Sequence, residues 1–216
     1  MIDCVKICCI SSLEEANLAI QYGAKALGLV GEMPSGPGVI SDELIQIIAS
    51  NTPAGIATFL LTSETDFSLI SDHHLRTGTN TIQLVDAVPT SVYLDLRRRF
   101  PLTKLVQVIH VVGEQSIEQA LEVSPYVDYI LLDSGNPNLP IKELGGTGRA
   151  HDWQISRSIK DAVDVPLFLA GGLNAENVAR AIETVQPYGL DLCSSVRTQG
   201  QLDPRKLELF FNAISA

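Results

Sequence analysis

The chain has 216 residues, 45% of them hydrophobic, and a formal net charge of −10. This length and apolar content suit one sizeable domain, and we expect residues 1–216 to form it. The acidic balance excludes a typical nucleic-acid-binding surface, which is rich in Lys and Arg. The apolar stretches are too short to cross a membrane, and the N-terminus lacks the charge and apolar pattern of a signal peptide.

Short apolar runs alternate with helical patterns along the chain. The predicted strands cover residues 5–10, 26–30, 55–61, 81–85, 104–111, 127–133, 166–170 and 190–194. The predicted helices run from the Ser12 cap to Gly23, from the Ser41 cap to 48, from Ser63 or Thr65 to 75, over 92–99, from the Ser116 cap to 123, and over 152–162, 174–185 and 204–214. Eight such units predict an α/β fold, a (β/α)8 TIM barrel. An open doubly wound sheet is the alternative, but no glycine-rich dinucleotide motif follows the first strand.

The four cysteines lie near the two ends of the chain, at Cys4, Cys8, Cys9 and Cys193. Cys8 and Cys9 are adjacent, which suits reduced thiols better than a disulfide framework, so we expect a cytoplasmic protein. A metal site is disfavoured because neighbouring strand cysteines point to opposite faces and no second ligand pair follows at zinc-site spacing.

Cys8 ends the first predicted strand on the same face as Lys6. One interpretation is a small buried hydrophobic residue, which is where free cysteine usually occurs. Against this, a fully apolar interior would not accommodate the Lys6 ammonium. A nearby cation lowers a thiol pKa, and this makes Cys8 a candidate for proton transfer.

Asp133 ends the apolar run of the sixth predicted strand. Aspartate is common as a turn-capping residue, but this strand has the composition of a central one. In a parallel barrel the carboxyl ends of the strands carry the active site. Asp133 is therefore a second candidate for proton transfer.

Small residues end the last two predicted strands, as Gly171-Gly172 and as Ser194-Ser195. The glycines alone are also typical of a tight turn. In barrels of this kind, however, the loops after the last two strands commonly hold a phosphate through backbone N–H groups. We therefore expect a phosphorylated ligand there.

Three histidines and one run of arginines differ in where they lie within the predicted elements. His73, His74 and the residues 97–99 lie in predicted helices and are expected to face solvent. His110 ends the fifth strand, where it could reach the pocket or be a structural histidine.

Taken together, the motifs resemble those of phosphoribosylanthranilate isomerase, a TIM barrel of tryptophan biosynthesis. The likeness covers nearly the whole chain, and the ordered set of motifs is more specific than any one of them. It is carried by Val5-Lys6-Ile7-Cys8, Gly23-Ala24-Lys25-Ala26-Leu27-Gly28-Leu29-Val30, Ile82-Gln83-Leu84, Leu131-Leu132-Asp133-Ser134, Gly145-Gly146-Thr147-Gly148, Asp152-Trp153, Leu169-Ala170-Gly171-Gly172-Leu173, Glu176-Asn177-Val178 and Asp191-Leu192-Cys193-Ser194.

The resemblance implies an Amadori rearrangement of N-(5-phosphoribosyl)anthranilate to a 1-deoxyribulose phosphate, without metal or organic cofactor. Cys8 falls on the general base of the family and Asp133 on its general acid. The implied substrate-binding residues are Lys6, Gln83, His110, Gly146, Arg149, Gly171, Gly172, Ser194, Ser195 and Arg197. The ligand is then a small phosphorylated sugar, with neither nucleic acid nor membrane as a partner, and we expect a monomer or a homodimer.

Four segments depart from the family pattern. Cys9 replaces the usual glycine after the cysteine, and residues 34–41 lack the usual arginine that meets the anthranilate carboxylate. Val85-Asp86 replaces His-Gly, and Cys193 to Arg197 replace Ser-Ser-Gly-Val-Glu. Arg149, Arg197 or His110 would have to supply the partner of the carboxylate. Two alternatives stay open: a related enzyme acting on another phosphosugar, and a non-catalytic phosphosugar-binding barrel.

Overall fold

Eight parallel strands close into a barrel in the computed structural model, which describes residues 2–135 and 151–215. The strands are β1 Cys4–Ile7, β2 Ala26–Val30, β3 Ala57–Thr62, β4 Thr81–Leu84, β5 Lys104–His110, β6 Tyr129–Asp133, β7 Leu167–Leu169 and β8 Gly189–Leu192. Neighbours in sequence pair with one another, and β1 pairs with β8 from Cys4–Gly189 to Ile7–Leu192. The predicted (β/α)8 barrel is confirmed, because the ring leaves no open edge.

The helices surround this barrel. They are α1 Leu13–Gln21, α2 Asp42–Asn51, α3 Phe67–Thr77, α4 Thr90–Arg99, α5 Gln115–Val123, α6 Trp153–Ala162, α7 Val178–Val185 and α8 Pro204–Ser215. A short antiparallel pair, β9 Arg197–Thr198 and β10 Gln201–Leu202, precedes α8. None of the helices in the described part of the chain combines the length and the apolar character needed to span a bilayer.

Side-chain caps begin several helices, including α1, α2, α3 and α6, and the structure corrects the predicted starts of α3, α5 and α7. Asp66, rather than Ser63 or Thr65, caps α3 by accepting from two backbone N–H groups. Ser116 lies inside α5, where its hydroxyl donates to the carbonyl of His110. The seventh helix starts at Val178 rather than at residue 174, because Asn174 accepts backbone hydrogen bonds that form a turn first.

Strand alternation divides the apolar side chains into two layers. Along β5, Leu105 and Ile109 pack outward against the helices, whereas Val106 and Val108 point into the barrel. The outward set forms one continuous core with the inner faces of the helices, which burial of apolar area stabilises. The inward set leaves room for polar groups at one end.

Aromatic rings fill the amino-terminal end of the barrel. The rings of Phe59 and Phe168 meet edge to face at 5.9 Å, and Tyr129 and Tyr188 pack against Phe168 at 5.5 Å each. Gly189 makes this possible, since any Cβ there would collide with the Phe168 ring. With this end filled, the interior is open for chemistry at the carboxyl end.

Candidate active site

The carboxyl end of the barrel contains a cavity of about 730 Å³, counted with its mouth open to solvent. Its apolar wall is formed by Val30, Met33, Leu61, Val108 and Leu131. Its polar wall is formed by Cys8, Gln83, Asp133, Asp191, Gly171, Gly172, Ser194 and Ser195. One side therefore suits an apolar group and the other a sugar phosphate.

Cys8 enters this cavity from the end of β1. Its N–H donates to the carbonyl of Leu192 at 2.7 Å, which continues the pairing of β1 with β8 by one residue. Gly28 on β2 makes space for the thiol, because an added Cβ would lie 2.7 Å from the Cys8 sulfur and 3.1 Å from Lys6 Cε. The sulfur and the lysine stem are thus packed side by side over one glycine.

Lys6 is fully buried and lies beneath the cavity, not in its lining. Its Nζ donates to Asp191 Oδ2 at 2.9 Å and lies 5.3 Å from the centre of the Phe59 ring. Burial alone lowers the pKa of the Lys6 ammonium, but the negative charge of Asp191 outweighs it and raises this pKa. Lys6 therefore carries a positive charge just below Cys8.

Asp191 was missed as a site residue from the sequence. It lines the cavity, and its Oδ1 has no hydrogen-bond partner among the described residues. Two signals could have identified it: it interrupts the apolar strand β8, and the buried Lys6 requires a carboxylate partner.

Asp133 lines the cavity from the end of β6 and is 9% exposed. Its Oδ1 accepts a hydrogen bond from the N–H of Ser134 at 2.7 Å. This is the local turn contact that aspartate commonly makes, and it fixes the orientation of the carboxyl group towards the cavity. Asp133 and Cys8 thus face one cavity from different strands.

The loops after β7 and β8 form the other end of the polar wall. Gly171 and Gly172 both have positive φ, 81° and 64°, a conformation that side chains disfavour. Asn177 holds the loop by donating to the carbonyl of Gly172 at 2.9 Å. Ser194 begins a short 3-10 turn, Ser194–Val196, on the neighbouring strand exit. Successive N–H groups in such turns make concave sites for anions.

Other predicted binding residues lie elsewhere. His110 is buried, and its Nε2 makes a hydrogen bond of 3.0 Å with the carbonyl of Val85, outside the cavity lining. Arg197 lies behind β1, where Nη1 binds Glu15 at 2.7 Å and Nη2 binds the carbonyl of Cys9 at 2.6 Å. Gln83 does line the cavity, with Oε1 unpartnered among the described residues.

Two further predicted residues, Gly146 and Arg149, lie outside the described residues, as does the Gly145–Gly148 motif. The described lining residues include no Arg, Lys or His. Within the described ranges, no group of three or more His, Cys, Asp or Glu is arranged to hold a metal ion.

The expectation that Cys8 and Cys9 point apart was wrong. The strand ends at Ile7, and Cys9 adopts a left-handed backbone with φ of 62°, so both cysteines line the cavity. The sulfur of Cys9 lies 2.7 Å from that of Cys193, in a hydrogen bond between the two thiols. This contact raises the pKa of Cys9 and lowers that of Cys193, where Arg197 also favours the thiolate.

His151 also went unnoticed in the sequence. Its Nε2 lies 2.7 Å from the hydroxyl of Ser156, and a Cβ built on Gly171 would be 3.1 Å from its Nδ1. Burial lowers the pKa of His151 to about 4, although the nearby Asp133 acts in the opposite direction. A neutral histidine therefore packs behind Asp133 and the glycine loop at neutral pH.

The sequence pattern of one protein family, described as N-(5'-phosphoribosyl)anthranilate (PRA) isomerase, matches residues 5–213. The chain belongs to this family. A PRA isomerase of Methanosarcina mazei, its isomerase 2, is 36% identical over 194 residues, which are 89% of this chain and 85% of that protein.

Solved structures of PRA isomerases have the same fold. The crystal structure of the Thermotoga maritima enzyme matches with a TM-score of 0.85 and 29% identity over all of both chains. A second PRA isomerase structure, in complex with reduced 1-(o-carboxyphenylamino)-1-deoxyribulose 5-phosphate, matches with a TM-score of 0.82 and 28% identity over all of both chains. The resemblance found in the sequence is thus confirmed at the level of family and fold.

Proposed function

We propose that this chain isomerises N-(5'-phosphoribosyl)anthranilate in tryptophan biosynthesis, with Cys8 as general base and Asp133 as general acid. The observation that supports this most strongly is that both side chains line the same cavity, from β1 and β6. The reaction needs one proton donor and one proton acceptor on a single sugar, and both residue types can serve.

In the first step, Asp133 donates its proton to the ring oxygen of the ribose. The bond from C1 to that oxygen breaks, its electron pair stays on the oxygen, and the anilino nitrogen forms an iminium ion with C1. Because Oδ1 is held by the N–H of Ser134, Oδ2 is the atom that would carry the proton. The carboxylate left behind balances the positive charge of the iminium.

In the second step, the Cys8 thiolate removes the proton from C2. The electron pair of the C–H bond forms the C1–C2 double bond, and the iminium electrons return to nitrogen. The resulting enol becomes the ketone when C1 gains a proton and the 2-hydroxyl loses one. Exchange with solvent then restores the acid form of Asp133 and the thiolate of Cys8.

The buried pair of Lys6 and Asp191 supplies the electrostatic setting for Cys8. Lys6 keeps its positive charge beneath the thiol, and a fixed charge in a water-poor site needs no rearrangement when the reaction begins. Lys6 does not reach the cavity, so it acts as a positioning residue and not through contact with substrate.

The two walls of the cavity suit the two ends of the substrate. The N–H groups around Gly171, Gly172, Ser194 and Ser195 would hold the phosphate. The apolar wall, with Leu61, Val108 and Leu131, would pack against the aromatic ring. The partner of the anthranilate carboxylate stays a prediction, and Arg149 is our candidate because His110 and Arg197 are engaged elsewhere.

Steady-state turnover of phosphoribosylanthranilate tests the assignment. We expect activity in the wild type and a loss of about 10²- to 10⁴-fold in kcat for Cys8→Ala and for Asp133→Asn. Cys4→Ala is the matched control, since Cys4 is a buried cysteine at the other end of β1. No turnover in the wild type, or full turnover in Cys8→Ala, would contradict the proposal.

Complementation separates this substrate from another phosphosugar. A tryptophan auxotroph that lacks the isomerase should grow when the chain is expressed at a normal level. Failure to grow, together with soluble expression, would favour the related enzyme on a different sugar. A cytoplasmic location and a monomeric or homodimeric state stay predictions, which fractionation and sedimentation would check.

A further inference from the structure

The three cysteines at the cavity form a group that the proposed reaction does not use in full. Cys8 is the proposed base, whereas Cys9 and Cys193 have no part in the rearrangement. Cys9 and Cys193 both stand where the family pattern has other residues, and the structure brings these two departures into contact, 2.7 Å between sulfurs. All four cysteines are free thiols.

We propose that Cys9 and Cys193 are a reversible redox site, in which a hydroperoxide converts the two thiols to a disulfide across the exits of β1 and β8. This goes beyond the isomerase reaction and does not depend on it. Only its effect on turnover rests on the proposed function.

The backbone already presents the two residues to each other. Cys8 and Cys193 each follow one of two paired strands, and the pairing extends to Ile7–Leu192 and to the Cys8 N–H. The left-handed turn at Cys9 then directs its side chain towards Cys193 and not to the outer face. A disulfide bond is about 2.05 Å long, so the sulfurs need to approach by roughly 0.7 Å only.

The surroundings make the two thiols unequal. Cys193 is less buried than Cys9 and has the thiolate-favouring contacts, whereas Cys9 retains its proton. A thiolate attacks a peroxide, and a neighbouring thiol resolves the product, which is the arrangement expected of a redox-sensitive pair. The open cavity lets a small peroxide reach them.

The chemistry balances in two steps. The Cys193 thiolate attacks one oxygen of the hydroperoxide, the O–O bond breaks, and the leaving alkoxide or hydroxide takes a proton, which gives a sulfenic acid at Cys193. The sulfur of Cys9 then attacks the Cys193 sulfur, the S–O bond breaks, and water leaves with the Cys9 proton. Two thiols are oxidised by two electrons, and one peroxide is reduced to an alcohol or water.

The disulfide would disturb the cavity wall. The Cys9 thiol now contacts the carbonyl of Pro37 at 3.5 Å, and Gly38 packs against Cys9 so closely that an added Cβ would lie 2.5 Å from Cys9 Cβ. A bond from the Cys9 sulfur to Cys193 would change its contact with Pro37. The loop that includes Ser35 and Gly36 lines the cavity, so oxidation should reduce turnover.

Thiol counting and intact mass after treatment with hydrogen peroxide test the proposal. For the reduced full chain we expect the thiols to fall from four to two, with a mass lower by two hydrogen atoms and full recovery on treatment with a dithiol reductant. Cys4→Ser and Cys8→Ser should still lose two thiols. Cys9→Ser and Cys193→Ser should not form the crosslink.

Three results would overturn the proposal. The first is that all four thiols of the wild type survive the peroxide. The second is that Cys193 gains oxygen without the loss of two hydrogens that a disulfide requires. The third is a crosslink that persists in Cys9→Ser but is absent in Cys8→Ser. The turnover of the wild type should fall on oxidation and return with the reductant. Because thiols and mass are measured without substrate, failure of the isomerase assay would leave this test intact.

Discussion

Two buried ion pairs flank Cys8, one inside the barrel and one outside it, and they differ in what their charges face. Lys6 and Asp191 pair at 2.9 Å inside, where the carboxylate lines the cavity. Arg197 and Glu15 pair at 2.7 Å outside, between the end of β1 and helix α1. Both are almost removed from solvent, with side-chain exposures of 0% and 9% inside and 8% and 7% outside.

The outer pair makes more hydrogen bonds than the inner pair, although Arg197 Nε has no partner among the described residues. Glu15 accepts from the N–H groups of Ser11 and Leu202 as well as from Arg197, and Arg197 also donates to the carbonyls of Cys8 and Cys9. The inner pair leaves Asp191 Oδ1 without a partner among the described residues. Many contacts away from the cavity are typical of a structural ion pair, whereas an unsatisfied carboxylate oxygen that lines a cavity is typical of a binding site.

The largest difference between the two ion pairs is expected from Lys6→Met, which removes the cation of the inner pair. Removing the ammonium leaves the Asp191 carboxylate buried without its cation, and we expect a loss of about 3–5 kcal/mol in the free energy of unfolding. We also expect kcat to fall about 10²-fold because the charge beneath Cys8 is lost. Urea unfolding and steady-state kinetics measure both, with the exposed Lys25→Met as control. An unchanged kcat in folded Lys6→Met would show that the inner pair is only structural.

Arg197→Met breaks the outer pair. We expect a destabilisation of about 3 kcal/mol, because Glu15 and the carbonyls of three residues, Cys8, Cys9 and Gly200, lose their donor. Because the guanidinium does not line the cavity, kcat and KM should change by less than about fivefold, equivalent to about 1 kcal/mol. The exposed Arg205→Met is the matched control. A large rise in KM with intact stability would instead restore Arg197 as the partner of the substrate carboxylate.

His74 offers a pH test confined to the outer layer. The expectation that His74 faces solvent was wrong, because its ring is buried between Thr79, Thr103 and Phe100, and burial lowers its pKa to about 4 from 6.5. As the pH falls, His74 therefore takes up its proton at a higher pH in the unfolded chain than in the folded one. The contribution of the neutral ring to the free energy of unfolding is complete above pH 6.5 and is lost as the pH falls towards 4.

From about pH 7 to about pH 5 this histidine should account for roughly 2 kcal/mol of lost stability. Urea unfolding at the two pH values should show a smaller loss in His74→Gln than in the wild type. Equal losses in the two proteins would show that His74 does not carry the effect.

Gln83→Leu is expected to give the smallest effect. It tests whether a second unpartnered oxygen at the cavity, Gln83 Oε1, also serves substrate binding. The wild-type Oε1 is buried without a partner among the described residues, so removing it should leave stability unchanged or raise it by about 1 kcal/mol. If Gln83 contacts the substrate, KM should rise about fivefold. A lower stability with unchanged KM would place Gln83 among the structural residues.

The repeating pattern of the chain predicted the fold because each apolar run and each helical stretch is local information. Strand β2 was predicted with its observed bounds. The predicted β1 began one residue late and ran three residues too far, because the apolar run continues past the turn at Cys9. The sequence could not show this turn, since a left-handed cysteine has no composition signal.

The site was less predictable because its contacts join distant residues. Lys6 and Asp191 are separated by 185 positions, and nothing local links them. His110 and Arg197 follow strand ends, as pocket residues do, but hydrogen bonds to Val85 and Glu15 place them elsewhere. Chain position predicted which end of the barrel a residue occupies, and not which way its side chain points.

A crystal structure of the protein with the reduced product analogue 1-(o-carboxyphenylamino)-1-deoxyribulose 5-phosphate bound tests the central claim most directly. We expect the Cys8 sulfur within about 3.5 Å of C2, and the Asp133 carboxyl group within about 3.2 Å of the oxygen released from the ring. The phosphate should lie on the N–H groups of the loops after β7 and β8. An analogue that leaves either Cys8 or Asp133 out of reach of the sugar would contradict the account.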